Sequence, residues 1–176
     1  IDRSTVMELC EAFLALNAPT RLKLRDETLT GTMEALTSGQ ADLALGISGT
    51  LSDSGSTTGI HSQTLGSIRF VFAVAPHHPL THAPQPLSDA LIGQHRAVAV
   101  ADSVQRGAGM TIGLLPGQDV FTVPHMHSKI DAQVRGLGVG FVPELMAKPL
   151  IDTGRLMVCE VERPRRVSQV SYAWRI

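Results

Sequence analysis

The chain has 176 residues, a formal net charge of -1, 43% hydrophobic residues and 4% aromatic ones. That length buries a real core, as one ordinary domain or as two small lobes, and the balanced composition excludes a disordered or strongly charged class. With few aromatics and no basic face, this stretch is not expected to touch nucleic acid itself.

Two cysteines, Cys10 and Cys159, each sit in an apolar stretch. Buried free thiols, and hence a reducing compartment, are the reading; a single bridge in a periplasmic protein is the alternative. No run of about 18 apolar residues occurs and the start shows no basic-then-apolar signal pattern, so a cytoplasmic location without a membrane partner is expected. The sequence opens at Ile1 without Met, which suggests a piece of something longer.

In chain order, Val6, Leu9, Cys10, Phe13 and Leu16 share one helical face, and Pro19 stops the pattern. Leu22–Arg25 alternates like a strand, Thr28 to Thr32 opens a helix carrying Met33 and Leu36, and Gly39 ends it. Asp42–Ile47 is a nearly continuous apolar run, suited to a parallel strand covered on both faces. Helix, strand, helix, strand is βαβ grammar, with the leading strand expected ahead of Ile1. Residues 48–59, rich in Gly, Ser and Thr, read as a mobile surface loop.

Strands follow at Ile60–Leu65 and Ile68–Ala75, then a proline-broken loop and a short helix at Ser88–Ile92. Arg96–Ala101 and Val120–Val123 read as strands and Ser128–Arg135 as a helix. Phe141-Val142 is a strand, Glu144–Ile151 a helix, Leu156–Val161 and Gln169–Ile176 strands. The basic cluster Arg163-Pro164-Arg165-Arg166 reads as a solvated hairpin loop rather than a phosphate clamp.

The motifs that could carry chemistry do not assemble. Gly136-x-Gly138-x-Gly140 resembles a dinucleotide fingerprint, but it closes a helix and enters a strand, the reverse of what a pyrophosphate needs. His125-x-His127 and the His77-His78 and His82 loop lack the third and fourth ligands of a metal site. There is no Gly-x-Ser-x-Gly elbow and no convergent Ser, His and acid set. No catalytic residue, metal or cofactor is expected.

Four stretches carry a resemblance: Met33-Glu34-Ala35-Leu36 through Gly39-Gln40-Ala41-Asp42-Leu43-Ala44; Phe72-Ala73-Val74-Ala75-Pro76-His77-His78-Pro79-Leu80; Val98-Ala99-Val100-Ala101-Asp102-Ser103; and Gly136-Leu137-Gly138-Val139-Gly140-Phe141-Val142-Pro143. With Gly154-Arg155-Leu156, their order and spacing resemble the effector-binding domain of LysR-type transcriptional regulators over nearly the whole chain. The resemblance implies an α/β fold like that of type II periplasmic binding proteins, with two Rossmann-like subdomains joined by two crossover strands. It places residues 1–64 plus 152–176 in the first subdomain, without its first strand and last helix, and residues 65–151 in the second. It also implies a homodimer or homotetramer, and DNA contact only through an N-terminal winged helix-turn-helix that is absent from this sequence.

Ligands in open α/β sheets sit beyond the carboxyl ends of strands, at helix N-termini. The matching effector-contact candidates are Thr28, Leu29, Thr30 and Ser48 on one lobe and Ala101, Asp102, Ser103, His125, Met126, His127 and Ser128 on the other. Mostly small, hydroxylated or amphipathic, they suit a small polar or anionic effector, with an aromatic ring against Met126. For any one of them, plain helix capping is the competing role. Crossings between lobes are expected at Leu65, Gly66 and Ser67 and at Ile151 and Asp152, as hinges. The competing functions are a solute-binding protein for transport and an enzyme on a similar scaffold.

Overall fold

A computed structural model describes residues 1–17, 19–48 and 59–176. The expected loop at 48–59 therefore falls, apart from its two ends, outside the described residues.

The first lobe contains α1 (Arg3–Ala15), α2 (Thr30–Thr37), β1 (Leu43–Ser48), the first half of β2 (Ile60–Val74) and β7 (Val167–Arg175). Asp2 caps α1 by accepting the Thr5 amide at 3.0 Å. The apolar face read from the periodicity exists, yet no residue of α1 is buried: Leu14 is 58% and Leu16 73% exposed. The Leu22–Arg25 strand does not form, and Leu22 and Leu24 are exposed. A strand needs a ladder partner, and none flanks this segment among the described residues. β1 pairs antiparallel with β7, contrary to the parallel reading. Only Ala44 and Ile47 are buried, on either side of a register shift between Leu45 and Ile47, so the run is not covered on both faces. The small core here is Leu36, Ala44, Ile47 and Ala173, with Met33 and Ile60 against it.

The two strands expected at 60–65 and 68–75 are one 15-residue strand, β2. Its first half pairs antiparallel with β7 and its second half with β5 (Gly140–Pro143) and β6 (Met157–Val158). Leu65, Gly66 and Ser67 sit where the ladder with β7 shifts register between Thr64 and Gly66. A bulge bends a strand without breaking it, so this crossing is a paired strand rather than a free link. Ile151 and Asp152 are the last turn of α5 (Glu144–Asp152), not a link between lobes. The chain beyond them stays with the second lobe: Leu156 packs with Ala73, Ile130 and Val142, and Cys159 with Phe72, Leu80 and Leu87.

The second lobe adds a 3₁₀ turn at Pro79–His82, α3 (Asp89–Ile92), β3 (Ala97–Val100), β4 (Val120–Val123) and α4 (Met126–Val134). β3 and β4 are parallel, and Ala97 bridges Val139 in parallel, which joins this pair to β5. Gln133, fully buried on α4, donates through Nε2 to the Ala73 carbonyl at 2.6 Å and the Gly140 carbonyl at 2.9 Å, tying helix to sheet. The basic cluster is a loop in which Pro164 and Arg165 are exposed, while Arg163 and Arg166 are half-buried. The Arg163 guanidinium lies 5.4 Å from the Phe141 ring centre and that of Arg166 5.2 Å from Phe70, so the cations cover the half-buried rings. Both cysteines are free. No helix among the described residues is long and apolar enough to cross a membrane.

Candidate functional site

The loop entering α2 and the loop leaving β3 meet edge to edge, which brings six of the expected residues together. The Thr28 amide donates to Ser103 Oγ at 2.8 Å and the Thr28 hydroxyl to the Ala101 carbonyl at 2.6 Å. The Thr30 hydroxyl donates to Asp102 Oδ2 at 2.5 Å and the Gly31 amide to Oδ1 at 3.1 Å. Leu29, the N-cap of α2, offers no side-chain cap and is held at φ 51° and ψ -121°, a region non-glycine residues seldom occupy. Asp102 thus caps α2 from the other lobe, supplying the acceptor that the helix start lacks.

The contact is reciprocal. Glu34 of α2 accepts the Gln105 amide at 2.6 Å and the Arg106 amide at 3.1 Å. Ser103 donates its hydroxyl to Glu27 Oε2 at 2.6 Å. Partial burial works to raise the Asp102 pKa. Hydrogen bonds from Thr30, Met110, Val104 and Gly31 outweigh it and hold the carboxyl at about 2. Gly31 lets the edges close: a Cβ there would stand 2.1 Å from Ser103 Oγ and 2.8 Å from the Ser103 carbonyl carbon. Ser103 does not precede a helix, as expected from sequence, because residues 101–119 form neither helix nor strand.

The remaining candidates lie apart from this edge. Ser48 ends β1, exposed, opposite Val170. His125, not Ser128, is the N-cap of α4: its Nδ1 accepts the Ser128 amide at 3.3 Å and lies 3.0 Å from the Ser128 hydroxyl. Met126 packs on the Ala73, Ile130 and Val142 cluster. His127 is exposed, its ring 6.5 Å from that of His125.

Sequence reasoning missed Glu27, Gly31, Glu34 and Lys129. Two signals were present. A glycine in the first turn of a short helix sacrifices helix propensity, which implies a close approach. A lysine near a helix N-terminus opposes the dipole, and Lys129 shares the inward face with Met126, Ile130 and Gln133.

Comparison with known proteins places this geometry. Residues 1–175 match the family model described as the LysR substrate binding domain. The HTH-type transcriptional regulator YeeY of Escherichia coli K12, itself described as uncharacterized, is 36% identical over 171 residues, covering 97% of this chain and 54% of that protein. The HTH-type transcriptional regulator YhaJ of Escherichia coli O157:H7 is 33% identical over 162 residues, 92% of this chain and 53% of that one. The chain thus spans about half the length of these relatives. Among solved structures, the regulatory domain of NMB2055 (MetR), a LysR family regulator from N. meningitidis, superposes with a TM-score of 0.67 at 16% identity, over 96% of this chain and 77% of that one. Full-length LysG from Corynebacterium glutamicum with bound effector Arg gives 0.64 at 19% identity, over 94% and 56%. The fold is the two-lobed α/β architecture of these regulatory domains, and the chain belongs to the LysR substrate binding domain family.

Proposed function

We propose that the chain is the effector-sensing half of a LysR-type transcriptional regulator, in which a small molecule held between the lobes alters how a separate DNA-binding head is presented. The observation that carries the reading is the reciprocal contact in which Asp102 caps α2 and Glu34 holds the Gln105 and Arg106 amides. Such an edge is either made or broken. A ligand that binds one arrangement better than the other shifts the population between them. The first lobe comprises α1 to the start of β2 together with β7. The second runs from the bulge in β2 to the Arg163–Arg166 segment, which replaces Ile151–Asp152 as the second crossing. The protein works in the cytoplasm, performs no catalysis and takes no cofactor.

A ligand found to stabilise the wild type against heat tests the cleft. Ser128→Glu and His127→Glu place negative charge at the start of α4, which that helix terminus tolerates, so both variants fold. Each is expected to lose the ligand-induced rise in unfolding temperature. Wild-type rises in both would remove the cleft as the binding site.

Self-association follows from α1. Met7, Leu9, Leu14 and Leu16 are all exposed on a helix with no buried residue, an apolar surface of the kind that marks a protein contact. Leu14→Arg is expected to leave folding unchanged and shift light scattering from dimer or tetramer to monomer. An unchanged mass would place the interface elsewhere.

A further inference from the structure

Lys129 sits in the second turn of α4 and is only 7% exposed, with no use in the fold that explains it. Among the described residues no carboxylate pairs with its ammonium and no acceptor takes its protons, although eight ion pairs form elsewhere in the chain. Burying a cation without a partner is costly, and a cation near a helix N-terminus adds to that cost. The surroundings nevertheless keep room for it. The neighbour on β5 is Gly140, where a Cβ would stand 3.2 Å from Lys129 Nζ, and the Val98 carbonyl oxygen of β3 lies beside the same position.

A helix side chain leans toward its own N-terminus, and Lys129 stands one turn into α4, whose first amides, apart from that of Ser128, have no side-chain cap. The charge that bears on Lys129 from another element is a second cation, Arg166, on the segment between the lobes. The other helix N-terminus of the site, that of α2, already holds the Asp102 carboxylate and has Glu27 and Glu34 nearby. An anion is therefore repelled at one edge of the cleft and lacking at the other.

We propose that Lys129 anchors the effector, and that the effector is a small molecule bearing a carboxylate, which pairs with this ammonium at the start of α4. The inference rests on the sensing function proposed above and names the chemistry of its ligand. Burial, and then Arg166, bring the pKa of Lys129 down to about 8, so the ammonium is charged at neutral pH and awaits a counter-ion. A bound carboxylate raises that value again, so affinity is level between about pH 6 and 8, where the ligand is also ionised, and falls above it.

The test uses the whole protein that carries this chain. Unfolding temperatures of the wild type, Lys129→Met, Lys129→Arg and the surface control Lys148→Met are measured against acetate, benzoate and succinate, with benzamide as the neutral counterpart of benzoate and sulfate as an inorganic anion. At least one carboxylate is expected to stabilise the wild type saturably, while benzamide and sulfate do not. Lys129→Met should bind that carboxylate at least about 30-fold more weakly, and Lys129→Arg should retain part of the affinity. Without ligand, Lys129→Met should melt at or above the wild-type temperature, because methionine keeps the stem and removes the unpaired charge.

A lower melting point for Lys129→Met without ligand would reveal an internal partner such as Gln133 Oε1 and overturn the proposal. Equal carboxylate shifts in Lys129→Met and wild type, or no shift with any carboxylate, would overturn it as well. Stabilisation by sulfate alone would replace the carboxylate with an inorganic oxyanion, against the proposal. If benzamide stabilises wild type and Lys129→Met alike but not Ser128→Glu, the sensing cleft stands and only the role of Lys129 falls.

Discussion

Gly31→Ala is expected to lower the unfolding temperature by about 3–10 °C and to part the edge between α2 and the Asp102–Arg106 loop, even though alanine is the better helix former. Two effects oppose one another. Alanine in place of glycine favours a helix by up to about 1 kcal/mol, and less in the first turn. Against this, the new methyl would stand 2.1 Å from Ser103 Oγ, 2.8 Å from the Ser103 carbonyl carbon and 2.9 Å from the Val104 nitrogen. The hydroxyl can rotate away, but the two backbone atoms cannot, and forced overpacking of this kind costs about 1–3 kcal/mol. The clash wins. Hydrogen exchange supplies the specific readout, since the Gln105 and Arg106 amides that Glu34 accepts should exchange faster while the Val98 and Val139 amides of the second lobe stay protected. Adding Ser103→Ala removes the nearest atom and leaves the backbone clash, so the double variant should recover little. Full recovery would mean that the backbone yields and the lobes never part.

Asp102→Ala removes one carboxylate that accepts four donors: the Thr30 hydroxyl at 2.5 Å and the amides of Gly31, Val104 and Met110 at 3.1, 3.0 and 2.9 Å. The start of α2 is left without a cap, because Leu29 cannot provide one. The loss of a helix cap together with charge-assisted hydrogen bonds comes to about 2–3 kcal/mol once solvent access is allowed for. In a domain of this size that is an unfolding temperature lower by about 5–10 °C. The pH dependence has a definite sign. The folded carboxyl titrates near 2, below its ordinary 3.8, so its contribution is complete above about pH 4 and is lost as pH falls from there toward 2. Wild type and Asp102→Ala should therefore differ at pH 6 and converge only below about pH 2. A gap that persists at acid pH would assign the stabilisation to packing instead of to the charge.

The two substitutions act on one edge through different atoms, and their effects should be less than additive, since either one alone releases the other's contacts. A regulator whose sensing depends on that edge would also respond to either change by altering its ligand response. Small-angle scattering of each variant, with and without a stabilising ligand, separates an edge that opens from a fold that merely loosens.

Much of the architecture was legible in the residues. The apolar spacing of Val6 to Leu16, of Met33 and Leu36, and of the stretches after His125 and Pro143 marked helices that are present as α1, α2, α4 and α5. The runs at Val98, Val120 and Phe141 marked strands, because period and turn residues are local properties of the chain. The order of those segments was enough to name the family. Partner choice was not legible. Whether Leu22–Arg25 becomes a strand, and whether β1 pairs parallel or antiparallel, depends on which backbone arrives beside them, and alternation of side chains is the same in either case. The hinge expected at Asp152 lay in a helix because a composition break does not say which lobe receives the next core residue, and Leu156 and Cys159 went to the second.

The site divides in the same way. Thr28 and Thr30 were identifiable at a helix start and Asp102 and Ser103 as loop residues at a strand end, since small polar groups at such positions are set by local chain grammar. That they bond to one another, with Asp102 filling the helix start where an anionic ligand was expected, follows from the closing of two lobes over residues 71 to 76 positions apart. The unpaired Lys129 is likewise a property of three dimensions. A sequence shows that a lysine is present, but only packed neighbours decide that it is buried and that no carboxylate among the described residues comes with it.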